Sequence, residues 1–301
     1  MTLSERNAFF KAGIVSCAVF VILIIAISFF TMPLYINNSN QTFTENNEIS
    51  LNEDDENNIT SPLDDAARRP HNFLHKIANS IAGYNYLAVH ISLFLLTAFS
   101  LTGMILIYNY FERTSTPEIL YIAFFIVSCS FEVIRIIIPL HLAFRFPTIY
   151  IMTAMRILLF ARFFGIFSLF TAGICSAGLE IQRIRNAILI ITIAGMILTI
   201  SIPIDVLSWD TSFNIVNGYN TMFKMIELVA FITIITSFLI TAKNKDSKEY
   251  LYAAIGILII FIGRNLLLNT DNWIGTILGI AMLSFGMWML CSKLHKIHLW
   301  L

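Results

Sequence analysis

The chain has 301 residues, 57% of them apolar and 13% charged, with a mean hydropathy of +0.76. A soluble domain carries about a quarter charged residues, so this composition excludes one and fits a polytopic membrane protein. Net charge is zero, with 19 basic and 19 acidic side chains, which leaves no basic footprint for nucleic acid.

Arg6 and Lys11 precede an apolar run, and Ile14-Val15-Ser16-Cys17 has the outline of a lipoprotein cleavage box. The apolar stretch before Cys17 is too short for that, and the run continues well past it. Residues 1–34 are therefore expected to form an uncleaved anchor, span 1, helical from about Ala12 to Thr31 and ending near Pro33. Residues 35–83 follow as the one long polar segment, rich in Asn, Asp and Glu and densest at Glu53-Asp54-Asp55-Glu56. With so little apolar area to bury, Asn37 to Asn72 is expected to be disordered. From His71 onward, Phe73, Leu74, Ile77 and Ile81 fall at helical spacing, a pattern for a short interfacial helix.

Residues 84–301 hold seven more apolar runs joined by short connections. The expected spans are about Tyr84–Phe111 (span 2), Ile119–His141 (span 3), Thr148–Cys175 (span 4) and Ala187–Leu207 (span 5). Thr221–Ala242, Glu249–Leu268 and Trp273–Ser292 complete the set as spans 6 to 8. The fold class expected is all-α, a polytopic bundle of eight transmembrane helices, one N-terminal anchor plus seven. Cys17, Cys129, Cys175 and Cys291 sit in or beside apolar runs and read as small apolar residues, with neither disulfide nor zinc spacing.

Lys/Arg counts set the expected orientation. With the N-terminus cytoplasmic, ten basic residues (Arg6, Lys11, Arg113, Arg183, Arg185, Lys243, Lys245, Lys248, Lys293, Lys296) lie inside. Four (Arg68, Arg69, Lys76, Arg145) lie outside. Both termini are then cytoplasmic in a cell membrane, with residues 35–83 outside. Trp209 and Trp273 mark the outer interface, Trp288 and Trp300 the inner one. Asn40 and Asn58 head N-glycan acceptor triplets, usable only in a eukaryotic host.

Span 3 carries Glu132 and Arg135, and a charge inside a bilayer costs roughly 2.5 kcal/mol or more, so this helix is expected to face inward. In an α-helix the two side chains stand about 60° apart. Placed at 1.5 Å per residue, Arg135, Glu132, Arg156, Glu227, Arg264 and His90 fall roughly 6–12 Å below the outer edge. Lys224 sits above them at the mouth, with His141 and Asp205 near the same surface, and Arg162 falls outside, in the inner half. Three arginines against two glutamates leave positive charge over. That surplus suits a recessed pocket for an anion, whether a small carboxylate, a phosphate or a lipid head group, held in bidentate fashion. The plainer reading is a static network, Glu132 with Arg135 or Arg156 and Glu227 with Arg264. The two histidines read more simply as satisfied interfacial side chains.

Gly275-xxx-Gly279 on span 8 matches a close-packing pattern, and Gly256 and Gly263 share a face of span 7 suited to packing against span 8. No HExxH, Ser-His-Asp set or P-loop is present, so neither an enzyme nor a metal or cofactor is expected. The last three spans lack a mid-helix lysine for a retinal Schiff base.

An anchor helix, an external segment and seven tightly joined helices resemble bacterial seven-transmembrane receptors with diverse intracellular signalling modules. The stretch Tyr250–Ile297, with Gly263-Arg264-Asn265 before a short Asn/Asp turn and a final helix, is similar to the end of their bundle. The likeness covers roughly Tyr84–Ile297. It departs in an external segment too short for the sensory sandwich domain and in having no output domain after span 8. The resemblance implies a receptor that signals to a separate cytoplasmic protein through Lys293–Leu301. On this reading Arg135, Arg156 and Arg264 contact an anionic or amphiphilic ligand, and Glu132 and Glu227 orient them. A secondary transporter using the same layer and a structural subunit of a membrane complex stand as alternatives.

Overall fold

The computed structural model describes residues 3–53, 86–112, 117–177, 184–210, 212–217, 220–269 and 271–299. Among them, eight helices are long and apolar enough to cross a membrane. They are Leu3–Phe30, Leu87–Phe111, Pro117–His141, Thr148–Ser176, Ile184–Ser201, Lys224–Asn244, Lys248–Asn269 and Trp273–Ile297, spans 1 to 8 in order. The protein is an all-α multi-pass membrane bundle. Disorder was expected over Asn37–Asn72; residues 37–53 are helical in their backbone instead, and residues 54–72, the interfacial helix after His71, and Arg68, Arg69, Lys76, Arg113, Arg183 and Trp300 lie outside the described residues.

Span 3 is the centre of the bundle, with 72% of its apolar window buried, against 22% for spans 5 and 6. The inward-facing helix expected from its charges is thus found. Span 1 is not a detached anchor. Phe10, Cys17 and Ile24, seven residues apart, are fully buried, and Gly13 comes up against Met104 of span 2 and Val127 of span 3. A heptad-spaced stripe of this kind keeps one helix face against a neighbour. Arg6 fixes its end by donating to the carbonyls of Phe111 and Glu112 at 2.8 and 3.1 Å. The helix also continues past Pro33, as backbone, to Glu53. A proline removes one hydrogen bond and kinks a helix without having to end it.

Span 3 changes helix type where its charges lie. The α-helix Pro117–Ser130 gives way to a 3-10 segment, Phe131–Ile136, and α geometry resumes over Ile137–Phe144. Pro139 has no N–H for the Arg135 carbonyl, and its ring crowds that oxygen, so the turn before it tightens. The effect of Pro139 therefore falls a turn before the end of the span. Residues three apart eclipse in a 3-10 helix, so Glu132 and Arg135 share a face instead of standing about 60° apart.

Span 5 ends at Ser201, not near Leu207, because Pro203 cannot continue the helix. The chain instead forms an antiparallel ribbon, β1 (Ile204–Trp209) with β2 (Ile215–Asn217), pairing Ile204 with Asn217 and Trp209 with Ile215. We call this the hairpin end of the bundle.

Spans 7 and 8 pack most closely. A Cβ on Gly263 would lie 2.7 Å from the Leu283 nitrogen and 2.9 Å from the Gly279 oxygen. One on Gly286 would lie 2.9 Å from the Gly256 oxygen and the Ile260 nitrogen. The face of Gly256 and Gly263 does pack against span 8 as expected. Its partners are Gly279 and Gly286, while Gly275 belongs to the first helical turn, donating its N–H to Asn272 Oδ1 at 2.8 Å. At the opposite end, Glu249 ties the two spans through Lys293 at 3.1 Å and Lys296 at 2.7 Å.

Candidate functional site

Glu132 is 1% exposed and accepts two hydrogen bonds from Arg162, Nε to Oε1 at 2.7 Å and Nη2 to Oε2 at 2.6 Å. This is the side-on fork in which a planar guanidinium best matches a carboxylate. It corrects the expectation that placed Arg162 outside the layer. The turn between spans 3 and 4 is tight, and Glu132 and Arg162 are each 15 residues from Pro147, so an antiparallel pair brings them level. Depth along each helix axis missed this, because an arginine side chain reaches several ångströms from its Cα and the 3-10 segment rises faster per residue. Arg135, the expected partner, comes only within 3.9 Å of Glu132, since Arg162 holds both carboxylate oxygens.

Arg135 is also 1% exposed. Its Nη2 donates to the carbonyls of Ser212 and, at 3.1 Å, of Leu268. Leu268 is in the last turn of span 7, where carbonyls lack intrahelical partners and the helix carries partial negative charge. Nε and Nη1 of Arg135 have no hydrogen-bond partner among the described residues.

Arg156 does not reach Glu132 either. It donates to the Thr199 carbonyl at 2.9 Å, the last turn of span 5. The surplus positive charge counted along the sequence is thus partly met by the carbonyl ends of spans 5 and 7, each worth roughly half an elementary charge. Arg156→Gln is expected to lower stability by about 1 kcal/mol through loss of this helix-end contact, read as a small fall in the thermal unfolding midpoint of the detergent-solubilised protein.

The expected pair of Glu227 and Arg264 is present at 3.1 Å, with Arg264 buried and Glu227 half-buried. Lys224 is exposed and joins no ion pair among the described residues. His90 is buried and meets the ring of Phe213 edge-on, with centroids 5.7 Å apart. His141 is half-buried, and the side chain of Asp205 lies outside the described residues.

The hairpin closes this layer. Its turn is tied by Asp210 N–H to the Asn214 carbonyl at 2.7 Å and by Phe213 N–H to the Asp210 carbonyl at 2.9 Å. Asn214 takes a hydrogen bond from Arg162 Nη2 at 2.8 Å and donates to the Leu268 carbonyl at 3.1 Å. Ser212 and Phe213 are buried, Phe213 among Val89, Leu93, Val133 and Met155. Phe213 holds this place with φ 57°, a left-handed backbone that costs an aromatic residue about 1–2 kcal/mol. A recessed pocket open to the outside was expected here, and a turn of the chain's own lies on Arg135 and Arg162. Sequence reasoning missed Ser212, Phe213 and Asn214, because span 5 was extended to Leu207 over most of β1, which left the turn in an unassigned connection before span 6.

What the described residues place in this layer are guanidinium groups on oxygen acceptors. Comparison with known protein families, with curated proteins and with solved structures found no match.

Proposed function

We propose that this multi-pass membrane protein is a receptor that takes a small anionic ligand at Arg135, from the hairpin end of the bundle. The observation that carries the reading is Arg135 itself. It is a buried arginine whose hydrogen-bonded partners among the described residues are neutral carbonyls and whose Nε and Nη1 have no hydrogen bond among them. A buried charged donor left unmade is costly, and an anion would satisfy it with charge-assisted bonds. Arg162 would support the same anion, and Glu132 would hold Arg162 in place. In this proposal the hairpin end faces outside, as the Lys/Arg asymmetry supports, and the signal leaves through the Lys293–Leu301 end to a cytoplasmic partner.

A structural subunit is the second reading, favoured by the closed pairs of Glu132 with Arg162 and Glu227 with Arg264. Thermal unfolding of the purified protein against a panel of carboxylates and phosphates tests the first reading. A saturable rise in midpoint with at least one anion is expected, and no rise with any would favour the structural subunit. Reconstituted vesicles are expected to show no uptake of the stabilising anion; concentrative uptake would make the protein a transporter.

A further inference from the structure

The turn Ser212-Phe213-Asn214 has the chemical outline of a ligand. Its oxygens lie on the two arginines, the Ser212 carbonyl on Arg135 and Asn214 Oδ1 on Arg162. Its ring is buried beside them in the apolar cluster that includes Val89, Leu93, Val133 and Met155, and meets His90 edge-on. Oxygen acceptors next to a buried phenyl group outline an arylalkanoic carboxylate. The turn is a poor version of one, because its acceptors are uncharged and a carboxylate makes stronger bonds to guanidinium. Removing the Ser212 carbonyl would also free one N–H of Arg135 Nη2, the other still donating to the Leu268 carbonyl. Together with Nε, which has no hydrogen-bond partner among the described residues, the freed N–H of Nη2 offers a side-on edge of two donors for a carboxylate. The turn is carried by a two-stranded ribbon, by itself a marginally stable unit, and held by Asn214 on the Leu268 carbonyl, and Phe213 sits in a left-handed backbone that leaving would relax.

We propose that this turn is a built-in stand-in for the ligand. The ligand is a carboxylate bearing an aryl or similarly bulky apolar group, and its binding evicts the turn. The inference rests on the reading of Arg135 as an anion-binding group and adds the ligand class and the moving part. Eviction would shift the segment joining spans 5 and 6, the two least enclosed spans after span 1.

The test uses the full chain in detergent or nanodiscs, with 3-phenylpropionate, acetate and inorganic phosphate as probes. In the Ser212→Cys variant the substituted side chain is shielded at rest, and its alkylation by a charged maleimide is followed against the wild type as blank for the native thiols. We expect 3-phenylpropionate to speed alkylation about tenfold or more, and acetate and phosphate at equal concentration to leave it unchanged. Phe213→Ala, with the ring's place vacated, is expected to bind 3-phenylpropionate about tenfold more tightly. If 3-phenylpropionate binds while the alkylation rate stays constant, the stand-in is refuted and the anion site survives. Equal acceleration by phosphate refutes the aryl carboxylate assignment. If none of the three probes binds folded wild type, the anion site and the stand-in fall together. Should Phe213→Ala not fold, the alkylation result decides alone.

Discussion

Glu132→Gln is expected to insert into the membrane and then fail to hold its fold. The carboxylate accepts both bonds of the Arg162 fork and is the acidic group within 4.0 Å of Arg135. Removing one partner of a buried pair leaves the other charge uncompensated and costs about 3–5 kcal/mol, a large share of the roughly 5–15 kcal/mol that holds a typical domain together. The readout is the monodisperse yield and unfolding midpoint after solubilisation. The double variant Glu132→Gln with Arg162→Leu should recover part of the loss, because both charges then leave together. A single variant that melts with the wild type would mean that water reaches the carboxylate freely.

The second large effect is expected at Gly263→Val. A Cβ there already meets the backbone of span 8 at 2.7 and 2.9 Å, so no side-chain rotation relieves it and the two helices must part. Overpacking typically costs about 1–3 kcal/mol, and the two added methyl groups of valine should exceed what alanine does. Span 7 also carries Arg264 and the Leu268 carbonyl, so the variant should loosen the charged layer as well as the seam. Protease resistance of the solubilised protein would show this, and Gly286→Val should behave alike. A Gly263→Val protein as resistant as wild type would contradict the packing described.

What could be read from sequence was a matter of tight turns. Where two spans are joined closely, residues equally far from the turn lie level. Gly256 and Gly286 are each 15 residues from Asp271, and Gly263 and Gly279 are each eight. Glu227 and Arg264 are 19 and 18 residues from Asp246, so for that pair depth from the membrane edge and distance from the turn agree. The same rule applied around Pro147 gives Glu132 and Arg162, a pairing that depth from the membrane edge concealed. The eight spans and the inward-facing charges followed from hydrophobicity and the cost of burying charge. The 3-10 segment, the ribbon after Pro203 and the carbonyl ends that receive Arg135 and Arg156 did not. They depend on backbone groups, which every residue but proline carries alike and which no side-chain pattern marks. The surplus of arginines therefore looked like an empty anion pocket, while part of it belongs to helix ends.

Arg135 remains the group around which the account turns, and its removal is the most direct measurement. Equilibrium dialysis of 3-phenylpropionate and inorganic phosphate should be run on wild type and Arg135→Gln, with membrane yield and unfolding midpoint recorded for both. The account predicts saturable binding of at least one anion to wild type and a fall of about tenfold or more in the variant, with membrane yield preserved. Equal binding by the two proteins would contradict it. So would a variant lost from the membrane beside a wild type that binds neither anion, and Arg135 would then be a clamp on span 7 and nothing more.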